Sequence, residues 1–520
     1  MKRFVFVTLV ACSSPSPAGA PDASVSPPPV DAALAVDAPV SSPQVAVNAL
    51  APNLVAPAAG CAGVPDGASQ YCDFAKYIAP HVDGISIFVY WKQIDHGATE
   101  PCVEGSQTNP CDWSQVDPRI ESFVSLGLTV NLIAIGVPEG GTGNAATPAY
   151  VFSAEYAAQL GAPPQDFAVC ALWPGGANAP VHGSTTASAV WNTSACYTPG
   201  GTCSASADTS GFPVVYEKPY ETAYAGFVAN VVQHYSPRGS MSGPDLASHI
   251  GYIRFGVTAG GEAQLICNSV WPGPGGLAAQ PLAFAKTAFL DGYVQPLVGA
   301  MHAAQPAVGV LINTHDGPPS NTDVSYADIE AQLAVGAGVG IGMESLGIGD
   351  AYEYAHGGTC NDDWCANFDN TTGVPHVLQT TIPTLQPAFS VASITGNGTH
   401  AEVTCSGPCD FYTGNSGWVQ VTGTGAYDGT YQIAEVLSAN SFAIASSTTA
   451  TVTTGTIIGP DFLPVSAPFA AAHHATALEI YACDLFYAFD PNPVTGMNCS
   501  TPPGAYSAQY ASLLAGLAAQ

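Results

Sequence analysis

The chain has 520 residues, 9 of them Lys or Arg and 39 Asp or Glu, which leaves a formal net charge of -30. A surface this acidic repels phosphate backbones and anionic headgroups, so nucleic acid is excluded as a partner. Only 9% of the residues are charged and 47% are hydrophobic, which is the balance of a folded chain, long enough for one large barrel or for two to three smaller domains.

Lys2 and Arg3 precede a short apolar run over residues 4–11, and Cys12 follows. A charged start and a short apolar stretch make an export signal. Leu9-Val10-Ala11-Cys12 resembles a bacterial lipobox, which implies a lipid on Cys12 and a place on the cell envelope, either the outer membrane or the cell surface; a cleaved signal with an incidental cysteine is the alternative. Residues 13–55 are Pro, Ala, Ser, Val and Asp with little else, and Pro27-Pro28-Pro29 among them reads as an extended tether. No stretch of 18 apolar residues exists, so the lipid would be the one membrane contact. Of 15 cysteines, 14 remain after Cys12, an even number that in an exported chain favours disulfides. Proximity pairs Cys61 with Cys72, Cys102 with Cys111, Cys196 with Cys203, Cys360 with Cys365, Cys405 with Cys409 and Cys483 with Cys499, leaving Cys170 for Cys267.

The barrel pattern begins near residue 84. Apolar runs at 85–91, 128–136, 250–257, 308–313, 339–343, 376–380 and 477–483 read as buried strands, and 117–126, 220–235, 281–304 and 326–335 read as helices. Strands alternating with helices imply a parallel sheet covered on both faces. Seven strands are readable and 213–216 is a candidate eighth, so the expected fold is α/β, a (β/α)8 TIM barrel formed by residues 56–388 and 459–520. Residues 389–458 break the alternation. Short period-2 runs at 418–422, 430–433 and 441–444, separated by turns such as Tyr427-Asp428-Gly429, predict a small antiparallel β insert between the last two barrel strands. It is similar to β modules found as accessory pieces of exported bacterial proteins, and a spacer and a sugar-binding piece are both open roles.

The chain has no Walker loop, HExxH helix, dinucleotide fingerprint or GxSxG elbow, so no cofactor and no metal is expected. Asp362, Asp363 and Asp369 read as an exposed loop in preference to a calcium site. His234 and His249 read as structural, and His473-His474 as a helix surface. Arg254, a rare cation inside a barrel strand, is expected to pair with a buried carboxylate. In a parallel barrel the chemistry gathers at the C-terminal ends of the strands. Three glutamates fit: Glu262 after the 250–257 strand, Glu344 after 339–343, and Glu479 in the last strand. Two carboxyls facing one another across a sugar are what glycoside hydrolysis requires, one protonating the leaving oxygen and the other attacking or activating water. Trp91, Trp271, Trp364 and Tyr481 stand near strand ends, where stacking on a sugar and ordinary core packing are both open. Asn313, His315, Gln379, Glu479 and Tyr481 complete the expected substrate-binding set with Trp91 and Trp271.

In their order along the chain, four places resemble retaining (β/α)8 glycoside hydrolases, the broad clan that includes cellulases and β-galactosidases. They are Trp91 followed by Asp112-Trp113-Ser114-Gln115-Val116-Asp117; Gly127-Leu128-Thr129-Val130-Asn131-Leu132 with Thr147-Pro148-Ala149-Tyr150-Val151; the helix ending in His234-Tyr235; and Tyr252-Ile253-Arg254-Phe255-Gly256 leading to Glu262. The resemblance covers roughly residues 80–385 and 465–500. It implies that Glu262 is the acid/base, although Gly261 stands where the family carries Asn, and that a nucleophile ends the seventh strand. If 213–216 is a strand, Glu344 ends the sixth and Gln379 falls on the seventh; otherwise Glu344 moves towards the seventh. Glu344, Glu479 and no nucleophile at all therefore stay open, as does retaining against inverting chemistry. The expectation is a monomeric, exported, lipid-anchored glycosidase acting on an extracellular poly- or oligosaccharide. The alternative is a non-catalytic carbohydrate-binding or adhesive surface lipoprotein on a degenerate barrel.

Overall fold

A computed structural model describes residues 46–51, 53–136, 146–162, 218–236, 246–256, 309–314, 339–346, 374–380, 389–407, 409, 418–458, 469–470 and 472–490. The first strands are β1 (Ala46–Leu50), β2 (Gly84–Tyr90), β3 (Thr129–Ile135), β4 (Ile250–Phe255), β5 (Gly309–Thr314), β6 (Gly340–Leu346) and β7 (His376–Thr380). A second group follows: β8 (Phe389–Gly396), β9 (His400–Cys405), β10 (Trp418–Thr422), β11 (Gly429–Ser438), β12 (Ser441–Ala445), β13 (Thr451–Val452) and β14 (Thr456–Ile458). The chain then returns to the first sheet with β15 (Ala477–Tyr481).

Strands β1 to β7 and β15 form a closed eight-stranded parallel barrel in the order β1-β15-β7-β6-β5-β4-β3-β2, as the alternation of strands and helices predicts. The closing strand is a correction. β1 pairs with β15 from Ala46 to Leu50 and with β2 from Asn48 to Leu50, so residues 46–50, read as part of the tether, complete the barrel. The candidate strand at 213–216 and the predicted helices at 281–304 and 326–335 lie outside the described residues. Five residues of Ala, Val, Asn and Leu differ little from the Ala/Val-rich stretch before them, so no local signal separates them from it. Only pairing on both edges makes them a strand. This count fixes Glu344 on the sixth barrel strand, Gln379 on the seventh and Glu479 on the eighth.

Alternation sorts the barrel side chains between two environments. Ala49, Ile85, Ile87, Val89, Val130, Leu132, Ile253, Ile312, Leu378, Leu478 and Ile480 face outward into one core shared with the helices. The helix Lys218–His234 lays Tyr220, Tyr224, Phe227 and Val231 on it, at the helical spacing seen in the sequence. Trp91 lies at the centre of this layer, fully buried, stacked on Phe227 at 5.5 Å and edge-on to Tyr150 and Tyr220. Asp95 accepts its indole N–H at 3.2 Å and the Tyr150 hydroxyl at 2.8 Å.

Strands β8 to β14 were expected as a small antiparallel insert and instead form a separate barrel that closes on itself. β8, β14, β10, β11, β12 and β9 form an antiparallel ring of six strands, because β8 pairs with both β14 and β9, and β13 adds a short pairing to β8. The barrel has its own core of Val391, Ile394, Val403, Val419, Val421, Phe442, Ile444 and Ile457. Closure pairs each of the six ring strands on both sides, which removes the edges that another chain could extend. The local runs revealed three of the seven strands. The other four, β8, β9, β13 and β14, are specified by their neighbours.

The disulfides Cys61–Cys72, Cys102–Cys111 and Cys405–Cys409 are present as proximity predicts, and Cys483 is also disulfide-bonded. The other expected pairs, and Cys12, lie outside the described residues. His473 is buried in a turn and His474 takes a left-handed φ of 59°, where a helix surface was expected. Among the described residues no helix is long and apolar enough to cross a membrane.

Candidate functional site

The inside of the parallel barrel is stratified. Tyr252, Leu311, Val377 and Ala477, with Ala46, fill one end, where most of the strands begin. Leu50, Phe88, Ile133 and Ile135, with Tyr90 and Tyr481, fill the other, where the strands end. Between them lies a polar layer built from one inward-facing residue on each of several strands: Ser86 on β2, Asn131 on β3, Arg254 on β4, Gln379 on β7 and Glu479 on β15, all buried. In the sequence Ser86, Arg254 and Glu479 are each a lone polar or charged residue between apolar neighbours, as in Ile85-Ser86-Ile87 and Leu478-Glu479-Ile480, and Asn131 lies between Val130 and Leu132. That pattern was available to sequence reasoning for Ser86, Asn131 and Tyr252, which it passed over.

Glu479 is the centre of the layer. Its Oε2 accepts from Arg254 Nη1 at 2.5 Å, and its Oε1 accepts from the Tyr252 and Ser86 hydroxyls, each at 2.5 Å. Asn131 Nδ2 donates to Ser86 Oγ at 3.3 Å. Burial, and then the adjacent Glu479 charge, push the Tyr252 phenol well above its usual range, so Tyr252 remains a neutral donor. Arg254 also donates to Gln379 Oε1 at 2.6 Å, and Gln379 Nε2 donates to the Tyr481 hydroxyl at 3.1 Å. The layer balances one cation against one anion, as burial demands. Two glycines make room for it: a Cβ at Gly84 would lie 2.6 Å from Asn48 Oδ1, and one at Gly251 would lie 2.4 Å from Asn131 Oδ1.

These contacts sort the expected site residues. Arg254 meets a buried carboxylate, as predicted, and the carboxylate is Glu479. With no exposed surface and with both oxygens already accepting hydrogen bonds, Glu479 acts as a brace of the barrel axis, buried out of reach of a sugar. Trp91 is likewise core: its face is covered by Phe227, so it is no sugar platform. Gln379 and Tyr481 come together where their strands end, and Tyr481 is partly exposed there. Asn313 and Glu344 belong to β5 and β6. Glu262, Trp271, His315, Trp364 and the acidic group Asp362, Asp363 and Asp369 lie outside the described residues.

A second polar cluster lies outside the barrel. His234, at the end of the helix Lys218–His234, meets Glu104 through Nδ1 at 3.0 Å and Asp117 through Nε2 at 3.1 Å, and Trp113 stacks on its ring at 3.9 Å. Trp113 Nε1 donates to Glu104 at 2.7 Å, and the Tyr235 hydroxyl donates to Asp117 at 2.9 Å. Burial pulls the imidazole down, but the hydrogen bonds and charges of Asp117 and Glu104 outweigh it and raise the His234 pKa above its usual value. The cluster joins this helix to the disulfide-closed 102–111 loop, the structural role expected of His234.

No protein-family model matches the chain, and no curated protein matches it. Among solved structures it is similar to a GH36 alpha-galactosidase from Geobacillus stearothermophilus in complex with 1-deoxygalactonojirimycin, at 9% identity and a TM-score of 0.22, over 74% of this chain and 52% of the other. A further match is the alpha-galactosidase from Lactobacillus brevis, at 9% identity and a TM-score of 0.24, over 80% of this chain and 55% of the other. The chain thus spans about half the length of the structures it matches. Likeness at that level does not define the fold, which rests on the strand pairings above.

Proposed function

We propose that the protein is an exported O-glycosyl hydrolase, held at the cell envelope by a lipid on Cys12, that cleaves an extracellular poly- or oligosaccharide where the parallel strands end. One observation carries the reading. With Glu479 committed to Arg254 and a glutamine on β7, two of the three glutamates expected at strand ends are left for chemistry: Glu344, which belongs to β6, and Glu262, seven positions after Phe255 closes β4. Neighbouring strands lie about 4.8 Å apart. Two strand positions separated by one strand are therefore roughly 10 Å apart at the backbone, and hydrolysis requires carboxyls roughly 5–9.5 Å apart, which is the separation this reading asks of Glu262 and Glu344. In this reading Glu262 protonates the glycosidic oxygen, and Glu344 attacks the anomeric carbon or activates water. The disulfides among the described residues fit an oxidising compartment.

Glu262→Gln is expected to lower turnover of aryl glycosides by about 10²–10⁴-fold; unchanged turnover removes Glu262 from the mechanism. Cys12→Ser is expected to abolish palmitate labelling, and labelling that survives removes the anchor from Cys12. A non-catalytic glycan-binding barrel is the second reading, favoured by the glutamine on β7 and the occupied Glu479. Glycan-array binding by a chain that turns over no aryl glycoside would select it.

A further inference from the structure

The loop that joins β8 to β9 holds the single Asn-Gly step of the chain, Asn397-Gly398. β8 ends at Gly396, β9 begins at His400, and Gly396 pairs with Ala401 across the turn. Gly398 takes a φ of 92°, in the left-handed region that favours glycine. Asn397 is exposed, yet its side-chain oxygen is held by three donors. Oδ1 accepts from Thr399 N–H at 2.9 Å, from the Thr399 hydroxyl at 2.9 Å and from His400 N–H at 2.8 Å. His400 Nδ1 lies farther from that hydroxyl, at 3.3 Å. Both N–H donors follow Gly398 in the chain, so the Asn397 side chain is folded forward along the peptide that carries the Gly398 nitrogen. Among the described residues, Gly398 N–H and Asn397 Nδ2 have no hydrogen-bond acceptor. The loop therefore presents the parts of an acyl transfer: a polarised carbonyl, an N–H one peptide away, and an amine leaving group in solvent.

We propose that the β8–β9 loop is a self-modification site that converts Asn397 to aspartate and isoaspartate, with Thr399 and His400 serving as the oxyanion hole. The Gly398 N–H gives its proton to water, and the nitrogen attacks Asn397 Cγ. A new N–Cγ bond forms, and the carbonyl electron pair moves onto Oδ1, where the three donors meet it. The intermediate collapses, the Cγ–Nδ2 bond breaks, and Nδ2 takes a proton from water and leaves as ammonia. Water then opens the cyclic imide at either carbonyl. Nothing is oxidised or reduced: one water enters and one ammonia departs. A rigid fold slows this cyclisation wherever it holds the two groups apart. Here the hydrogen bonds fold the carbonyl towards its attacker, so the entropy of closure is met in advance. Isoaspartate would lengthen the main chain by one methylene between two neighbouring strands of the antiparallel ring. The proposal is independent of the glycosidase reading.

The test is incubation of the folded full-length chain in water enriched in heavy oxygen, beside the same chain unfolded in guanidinium at equal pH and temperature. Mass spectrometry of the peptide carrying Asn397 follows the product. The expected result is aspartate and isoaspartate at Asn397, each with one labelled oxygen, formed about tenfold faster in the folded chain, where closure and the donors both act. A folded rate equal to or below the unfolded one overturns the proposal. Thr399→Val removes the hydroxyl donor alone and should lower the folded rate about two- to tenfold, the worth of one hydrogen bond, while leaving the unfolded rate in place. Thr399→Ser, which keeps the hydroxyl, should restore it. A valine variant as fast as wild type, or a serine variant as slow as valine, removes the oxyanion hole and overturns the proposal. If Thr399→Val does not fold, the wild-type ratio of folded to unfolded rates decides alone.

Discussion

The two barrels of this chain solve closure by opposite means. The antiparallel barrel of β8–β14 fills its centre with Val, Ile, Phe and Ala. The parallel barrel places an ion pair, a glutamine, a serine and a phenol on its axis between two apolar layers. An apolar centre suffices for stability at this scale, so the polar layer does something an apolar one cannot. Buried pairs are weak sources of stability because desolvation offsets their attraction, yet leaving one partner alone is costly. What the layer contributes is direction: it fixes the polarity of Gln379 where the strands end.

That contrast can be broken at Arg254. Arg254→Met should destabilise the parallel barrel by about 3–5 kcal/mol in chemical denaturation, because Glu479 is left buried without its counterion. Arg254→Met/Glu479→Leu should recover most of the loss, since it removes both charges. Hydrogen exchange in β10 and β12 serves as the internal reference and should be unchanged in both variants. A double variant as unstable as the single one would mean that the pair itself stabilises the barrel.

A smaller effect sharpens the contrast through pH. Because His234 is raised above its unfolded value by Glu104 and Asp117, its charged contacts contribute fully below about pH 6.5, the ordinary histidine value. The contribution is lost as pH rises through the higher folded value. His234→Gln should therefore cost about 2 kcal/mol in mildly acidic solution and little in alkaline solution, read from melting temperatures across the range. Exchange in the antiparallel barrel should not follow this profile. A loss that grows with pH would reverse the assignment.

Much of the parallel barrel was legible in the sequence. Its inner strands are buried on both faces, so each is a near-continuous apolar run, and β7 falls at the predicted 376–380. Arg254 could be paired with an unnamed carboxylate because a cation in such a run has no other way to be buried. Trp91 misled because position near a strand end does not say which side of the strand faces the axis; parity puts it outside, under Phe227. Glu479 misled in the converse way: it faces the axis, but too deep to meet a ligand, among donors contributed by β2 and β4.

Local pattern by itself determined that this is a chain of alternating buried strands and helices, interrupted by an antiparallel module and stapled by cysteines close in sequence. Those features need only near neighbours: apolar periodicity, turn residues and short loops. Tertiary structure alone decided that Ala46–Leu50 closes the barrel, that the module is itself a closed ring, and that Glu479 serves Arg254. Each depends on partners far along the chain. Ser86 and Glu479, 393 residues apart, become neighbours only when the last strand meets the first, because strand pairing is a property of the closed sheet and not of any single strand.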